Sequence, residues 1–586
     1  MSPYPIQKHQ TEIFVVGGGL AGMLAAISAA RHGAKVVLMH DRPVLGGNCS
    51  SEIRMWALGC HGKNNRETGI LEEILLENMY RNPTRNFSIW DSILYEKVKQ
   101  EPNITLLLNC TCNQVVMEQN RIRSVTGWQL TTYTWHEVQA DIFIDCSGDS
   151  VLAPLTGAEY RMGREARSEY QEDIAPEIAD SKTMGLTCMI QARETGHPVP
   201  YTPPAWANVY ETDEDLPYRD HDLSNPIMNY WWMELGGEQN CIRDAETIRD
   251  ELLAVAFGIW DHIKNRGDHH AENWELEWVG FLPGKRESIR YIGDHVLTQN
   301  DVRAEGKFED LIAYGGWTMD DHHPGGLRYP GPPTIHHPAP SPFGIPYRCL
   351  YSKNIENLMF AGRNISTTHT AMSASRVMAT CAVVGQAAGT AAAVAIQHRI
   401  APRGVCAHIQ EVQAMLMDDD CYLPWRRRAV SSITQKARMT AEVPCEALRN
   451  GLDRPIDDQD NGCYIPLNTP VELCWEEPQT ISGFRLILDS DLERETCTGH
   501  PRLRTYPMLC NQFYEMEPFG FPTTMLKTFE LQYLDANGQW TPLYHAAGQY
   551  QRYRKVCCSC RTSAIRFIPL ETWGSPSAHI FSFEVF

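Results

Sequence analysis

The stretch Gly17-Gly18-Gly19-Leu20-Ala21-Gly22 narrows the fold of this chain more than any other six residues. It follows the apolar run Glu12 to Val16 and opens the Ala-rich stretch Ala21 to His32, with a second apolar run, Lys35 to Met39, beyond it. Length and periodicity predict strand, turn, helix and strand. In that setting the spacing GxGxxG has a mechanical meaning. Gly17 permits the tight turn, Gly19 lets the backbone approach a pyrophosphate, and Gly22 lets the helix pack on the strand; the phosphates then rest at the helix N-terminus, where Leu20 and Ala21 lie. The acid that contacts a ribose usually closes the second strand. Here that spacing lands on His40, with Asp41 immediately after, and both residues stay open as the ribose contact.

At 586 residues the chain is too long for one core. Asn103 to Val125 carries apolar runs broken by polar turns, and Ala140 to Asp145 is a buried strand ending at Cys146-Ser147-Gly148-Asp149. Mixed helices and long loops follow. Asn357 to Gly362 returns to a strand, and Ala379 to Gln397 to a helix whose Gly385, Ala388, Gly389 and Ala392 allow close backbone approach. From Ala441 the runs are short and alternating: Val471 to Trp475, Phe484 to Leu488, Phe529 to Leu534, Ala564 to Phe567 and Ile580 to Phe586, with a hairpin at Asn537-Gly538. The expected fold class is α/β. A dinucleotide-binding domain is split between 1–166 and 346–405, an α+β substrate domain is inserted at 167–345, a connecting region spans 406–440, and an all-β sandwich fills 441–586.

A formal charge of -20 repels polyphosphate and argues against nucleic acid as a partner. The N-terminus up to Gln10 is polar and the first apolar strand starts at about Ile13, so no secretory signal is expected and the cytoplasm is the expected compartment. The apolar run Ala382 to Ile396 is shorter than the roughly 20 residues of a membrane span, so no membrane is expected as partner. The 19 cysteines read as reduced, mostly buried thiols. No metal site is expected: Cys557, Cys558 and Cys560 lack a second pair, and the paired histidines His322-His323 and His336-His337 lack a ligand pattern with a defined geometry. No heptads occur, and a homo-oligomer stays open.

Four ordered segments carry a family likeness. Gly17 to Gly22, then Asp41-Arg42-Pro43-Val44-Leu45-Gly46-Gly47-Asn48, then Phe143-Ile144-Asp145-Cys146-Ser147-Gly148-Asp149, then Asn357-Leu358-Met359-Phe360-Ala361-Gly362-Arg363, together resemble the FAD-dependent oxidoreductase family of glutathione-reductase-like bacterial flavoproteins. The resemblance implies FAD, a split Rossmann-like domain and an interposed substrate domain. Carried over by position, Gly17, Gly19 and Gly22 would hold the pyrophosphate. Arg42, Gly46, Gly47 and Asn48 would line the adenosine and flavin side, Gly148 and Asp149 match the second turn, and Gly362 and Arg363 the late one. Many flavoproteins carry Gly-Asp at that late turn, so Arg363 departs from the pattern. The helix after it would direct the positive end of its dipole at the flavin.

Histidine suits proton transfer near neutral pH. His369, between the late turn and the late helix, is therefore a catalytic candidate, with a structural hydrogen bond as the alternative. His323, in the donor-rich loop Trp317 to Gly326, is a second, and Arg286, in Pro283 to Arg290, a third. The leading expectation is oxidation of a secondary alcohol of a carbohydrate or glycoside, with a small-molecule substrate and an unidentified electron acceptor. Two alternatives stay open: reduction of a C=C bond of the fumarate or ketosteroid type, with Arg286 or Arg376 as proton donor, and glycan binding or assembly with structural FAD. The C-terminal strands, with Trp475, the Trp540 hairpin and the long Asp489 to Phe521 loop, resemble a discoidin-like or galactose-binding-like sandwich. Such modules hold sugars by aromatic stacking and hydroxyl hydrogen bonds.

Overall fold

The computed structural model describes residues 4–586. Its organising element is a five-stranded parallel sheet in the order Leu358–Phe360, Ile142–Asp145, Ile13–Val16, Val36–Met39, Ile104–Leu107. Leu358–Phe360, Ile13–Val16 and Val36–Met39 are uninterrupted apolar runs, fully buried because both faces of the sheet are covered there. That second sheet contains Cys110–Glu118, Arg121–Gln129 and Thr134–Gln139, and Ile6–Gln10 joins it in parallel with Thr134–Gln139, a strand that the polar N-terminus did not announce.

Helix Leu20–Arg31 follows the glycine turn, and helix Met378–His398 lies directly against it. The approach is so close that a Cβ on Gly385 would come within 2.1 Å of the Ala21 carbonyl oxygen, and one on Gly389 within 2.2 Å of that of Ala25. The late helix runs 21 residues, longer than the apolar run suggested, and is long and apolar enough to cross a bilayer. Its burial against the first helix accounts for that composition: 94% of its most apolar window is inside the protein.

The region between the two halves of the parallel sheet is built from short pairings. Leu186–Thr187 lies between Glu234–Leu235 and Gly284–Lys285, Ile190–Glu194 pairs with Trp274–Val279, and Met319–His322 forms a hairpin with Thr334–His337. The long helix there is Ala245–Asp261.

Contacts divide the chain into two compact units that do not follow the sequence-predicted boundaries. The first contains the chain up to Cys60, Asn86–Gln413 and Tyr506–Met516, so the substrate region and the dinucleotide frame form one body. The second contains His61–Arg85, Ala414–Thr505 and Glu517–Phe586. Helix Ile70–Arg81 belongs to it because Leu76 and Met79 enter its core and Glu72 pairs with Arg494 at 2.7 Å. The connecting region from Ala414 onward belongs to it as well, its first residues up to Gln413 staying with the first unit: Arg428 pairs with Asp453 and Glu584, and Arg438–Thr440 adds a strand.

The second unit is the expected all-β body, formed by curling one seven-stranded antiparallel sheet around a core that includes Leu473, Phe484, Phe529, Phe567 and Phe583. Val471 to Trp475 and Phe484 to Leu488 are the two ends of a single strand, Val471–Leu488, bent by register shifts between Cys474 and Gln479 and between Ile481 and Gly483. Such irregularities bend a strand and let it serve two faces. Asn537-Gly538 makes the expected hairpin, with Gly538 at φ 73°. All 19 cysteines are free thiols. Cys557, Cys558 and Cys560 lie on one strand, Tyr553–Thr572, where alternation turns Cys557 away from the other two.

Candidate active site

The glycine turn has the geometry of a diphosphate cradle. Gly17 sits at φ 98° with its virtual Cβ 2.3 Å from the Cys146 carbonyl oxygen, so a side chain there is excluded twice over. Gly19 is the opposite case: a Cβ would meet nothing nearer than 3.9 Å, which leaves open space in front of the backbone. The first helical hydrogen bond runs from Met23 N to Gly19 O, so the N–H groups of Leu20, Ala21 and Gly22 precede it, and neither a capping side chain nor an acid occupies that end. Gly46 N donates to Gly18 O at 2.8 Å and ties the returning loop to the turn.

His40 is held by its own loop. Gly18 N donates to His40 Nδ1 at 2.9 Å, and Nε2 lies 3.0 Å from the Val44 carbonyl oxygen, to which it donates. Burial pushes the imidazole down to about 4, keeping it neutral, as a ring that accepts at one nitrogen and donates at the other must be. Both nitrogens are thereby committed within the protein, whereas the Asp41 side chain is 56% exposed.

Asp149 does not stand alone at the second turn. Lys285 Nζ is 2.5 Å and Arg363 Nη2 2.7 Å from its carboxylate. Burial opposes the charge, but the Arg363 guanidinium and then the Lys285 ammonium outweigh it and hold Asp149 below the ordinary carboxylate range. Arg363, the departure at the late turn, thus neutralises Asp149 while its buried Nε keeps no protein partner. Arg42 Nη1 is likewise buried without a protein partner. Asn48 donates to the Lys285 carbonyl at 3.0 Å and so joins the loop to the substrate side. The open space at Gly19, the uncapped helix end and two buried, unspent guanidinium nitrogens are the donor set that a flavin adenine dinucleotide needs.

The substrate side is a network of buried charges that the sequence disclosed only in part. His369 opens helix His369–Ser375, with Nδ1 2.9 Å from Glu287 and Nε2 3.1 Å from Asp321. Burial alone would lower its pKa, but Glu287 and then Asp321 raise it to about 10, so the ring is an imidazolium at neutral pH. Glu287 also pairs with Arg290, which reaches Glu165 at 2.7 Å, and Glu165 in turn accepts the His369 backbone N–H at 2.8 Å. A second histidine, His322, is held by Glu234 at 2.7 Å and Asp320 at 3.3 Å.

Arg286 extends this second group. It donates to Thr187 Oγ1 and to the Trp231 carbonyl, both at 2.6 Å, with Glu234 3.5 Å away, and burial lowers its pKa. Arg376 donates to Asp320 at 3.1 Å and keeps a buried Nε without a protein partner, as Ser375 keeps its Oγ. His323 does not join the group. It is exposed and stacked on Tyr329 at 3.6 Å, and it accepts the Gly325 N–H at 3.1 Å, because alternation past the strand Met319–His322 turns it away from His322. The sequence reading missed Glu165, Glu234, Glu287, Asp320 and Asp321. Only Asp320 and Asp321 had a signal, as neighbours of the paired histidines.

The aromatic side chains proposed for sugar stacking on the C-terminal sheet are occupied. Trp475 is buried and donates to the Ile433 carbonyl at 2.9 Å, and the Trp540 ring is covered by the Arg566 guanidinium at 4.2 Å.

Comparison with known proteins decides the family. The model of a family described as FAD dependent oxidoreductase matches residues 12–416. The chain belongs to that family. FAD is its cofactor and the protein is an oxidoreductase. A stretch of 43 residues is 40% identical to the soluble pyridine nucleotide transhydrogenase of Marinobacter nauticus, covering 7% of this chain and 9% of that protein. Among solved structures, a geranylgeranyl bacteriochlorophyll reductase-like protein from Thermoplasma acidophilum is 11% identical over 70% of this oxidoreductase and 84% of its own chain, with a TM-score of 0.33. The E. coli quinol fumarate reductase is 12% identical over 70% and 78%, with a TM-score of 0.26. The family 32 carbohydrate-binding module of Streptococcus pneumoniae EndoD is 14% identical over 27% of this chain and 99% of its own, with a TM-score of 0.20.

Proposed function

We propose that this oxidoreductase oxidises a secondary alcohol of a carbohydrate or glycoside. The observation that carries the reading is the charge balance of the substrate side. Each buried basic side chain there faces a carboxylate: Arg286 faces Glu234, Arg376 faces Asp320, His322 faces both of these acids, and His369 faces Glu287 and Asp321. A group already neutralised favours a neutral, hydroxyl-rich ligand over an anionic one, because an added carboxylate would lack an unpaired guanidinium. The spare donors at Arg376 Nε and Ser375 Oγ suit the substrate oxygen.

When bound, FAD supplies the two-electron acceptor. Gly19, the N–H groups of Leu20 to Gly22, Asp41, Arg42 and Arg363 would hold it. Asp321, the more exposed end of the chain Glu287–His369–Asp321, takes the hydroxyl proton at a carboxylate oxygen. His369 keeps its own proton and fixes the orientation of Asp321. Asp321→Asn should therefore slow flavin reduction by about a hundredfold or more while leaving FAD bound.

Anaerobic titration of the FAD-loaded chain with a panel of glycosides tests the substrate class. Bleaching of the flavin absorbance by at least one sugar is the expected result, and bleaching by none ends the reading. A second reading, C=C reduction with Arg286 as proton donor, is favoured by the lowered Arg286 pKa, which burial causes and Arg376 reinforces. Reoxidation of the chemically reduced enzyme by enoates and not by keto sugars would establish that alternative.

A further inference from the structure

Away from the charge network, four side chains of the first unit converge on one point. Asp213 opens the short 3-10 turn Asp213–Asp215, and His221 lies in the loop beyond it. His262 is the first residue of a π-helical turn, His262–Arg266, that ends helix Ala245–Asp261, and His269 follows that turn. π-helical turns of this kind recur at functional positions, where they redirect a side chain from the regular helical path.

The ligand-capable atoms have the spacing of a coordination shell. Asp213 Oδ1 is 3.0 Å from His262 Nε2, 3.5 Å from His221 Nε2 and 3.5 Å from His269 Nε2. His262 Nε2 and His269 Nε2 are 3.2 Å apart, and all four atoms lie within 4.8 Å of one another. A tetrahedral zinc with metal–ligand bonds of about 2.0–2.1 Å sets its ligand atoms about 3.3 Å apart. The rings approach at 81°, 74° and 57°, two pairs edge-on and one tilted, and none of them stacks.

The outer partners orient the lone pairs. His221 Nδ1 is 2.8 Å from the Arg219 carbonyl oxygen, and His262 Nδ1 is 3.0 Å from that of Tyr210. A carbonyl only accepts, so both Nδ1 atoms carry the hydrogen and both Nε2 lone pairs face inward in the neutral rings. Ligating histidines are held in this way, by a backbone carbonyl on the far nitrogen. Inward-facing lone pairs beside a carboxylate repel one another unless a cation lies among them. Three imidazole nitrogens and one carboxylate oxygen select a borderline transition metal over magnesium or calcium.

We propose that Asp213, His221, His262 and His269 bind one divalent transition-metal ion of the zinc type. Four protein ligands close the shell, so the ion is structural. Asp213, 69% exposed, gives it a way in, while His262 is fully buried. The ion braces a loop that matters to the substrate side. His221 is anchored on the Arg219 carbonyl, and the Arg219 guanidinium donates to the carbonyls of Gly326, Tyr329 and Gly331, the turn that follows Asp320 and Asp321.

The test uses the full, FAD-loaded chain after treatment with a chelator. Zn(II) alone should be retained at one equivalent and raise the melting temperature. Co(II) alone should give the intense visible bands of a four-coordinate ion in a difference spectrum. Loss of even an outer-sphere partner costs a metal site about 10–100-fold in affinity. His221→Ala with His269→Ala should therefore weaken Zn(II) binding by more than about tenfold and abolish the melting shift, with flavin content unchanged. Asp213→Asn, at an exposed position, gives the same direction should the double variant fail to fold. Equal Zn(II) retention by the wild-type chain and the variants, no uptake by either, or the weak spectrum of six-coordinate Co(II) would each overturn the proposal.

Discussion

Histidine serves two opposite arrangements within the first unit. At the substrate side each buried imidazole lies between two carboxylates: His369 between Glu287 and Asp321, and His322 between Glu234 and Asp320. In the cluster of His221, His262 and His269, three imidazoles share the single carboxylate of Asp213. Excess acid stabilises a proton on the His369 ring, whereas excess imidazole leaves lone pairs that call for a different cation. The same residue type is thus an imidazolium brace in one place and a prospective ligand in the other, and the count of nearby acids decides which.

The largest expected effect breaks the acid-rich arrangement. His369→Leu removes the cation between Glu287 and Asp321 and should cost about 3–5 kcal/mol, read as a drop in the urea midpoint followed by flavin fluorescence. A loss below about 1 kcal/mol would mean that the two acids do not depend on the ring. The pH dependence has a definite sign. The folded pKa of about 10 lies above the unfolded value, so this contribution is complete below about 6.5, declines as the pH rises and is lost through 10. His369→Gln should flatten that decline.

Asp41 offers a check on the cofactor side of the same unit. Asp41→Ala removes a charge-assisted contact to the ribose and should weaken FAD binding to the apoprotein by about 10–100-fold in a fluorescence titration. An unchanged affinity would remove Asp41 from the site. In the acid-poor cluster, His221→Ala should cost only about 1 kcal/mol in the presence of chelator, one hydrogen bond to the Arg219 carbonyl. An equal cost at His221 and His369 would erase the contrast between the two arrangements.

The smallest effect belongs to His40, a third setting in which the imidazole is buried neutral. Its folded pKa of about 4 lies below the unfolded value, so stability falls as the pH drops from about 6.5 towards 4, where protonation of Nδ1 opposes the Gly18 N–H. Flavin release should appear in that acid range. His40→Asn, whose side-chain oxygen can accept the same N–H, should shift the release to lower pH.

The glycine turn, the parallel strands and the two packed helices were legible because their signals are local: Gly17 to Gly22 and Gly385 to Gly389 are read within single elements. The curled sheet was legible as strands but not as continuous ones, because a register shift such as that after Cys474 interrupts the alternation without ending the strand. His369 was legible as a member of the candidate site, but its protonation was not. Glu287 and Asp321 lie 82 and 48 residues away, and no spacing rule connects them. The Asp213 cluster escaped notice for the same reason, its ligands being scattered from a short turn to the end of a helix.

The exchange of chain between the two units bears on how the protein can be taken apart. Since His61–Arg85 belongs to the C-terminal body and Tyr506–Met516 to the N-terminal one, no single cut yields two complete pieces. A fragment starting at 441 would lack Leu76 and Met79 from its own core and carry a surplus stretch that folds with the other body. The C-terminal sheet is therefore not a detachable cassette, and fusion or shuffling at the linear boundary should yield two incompletely folded halves.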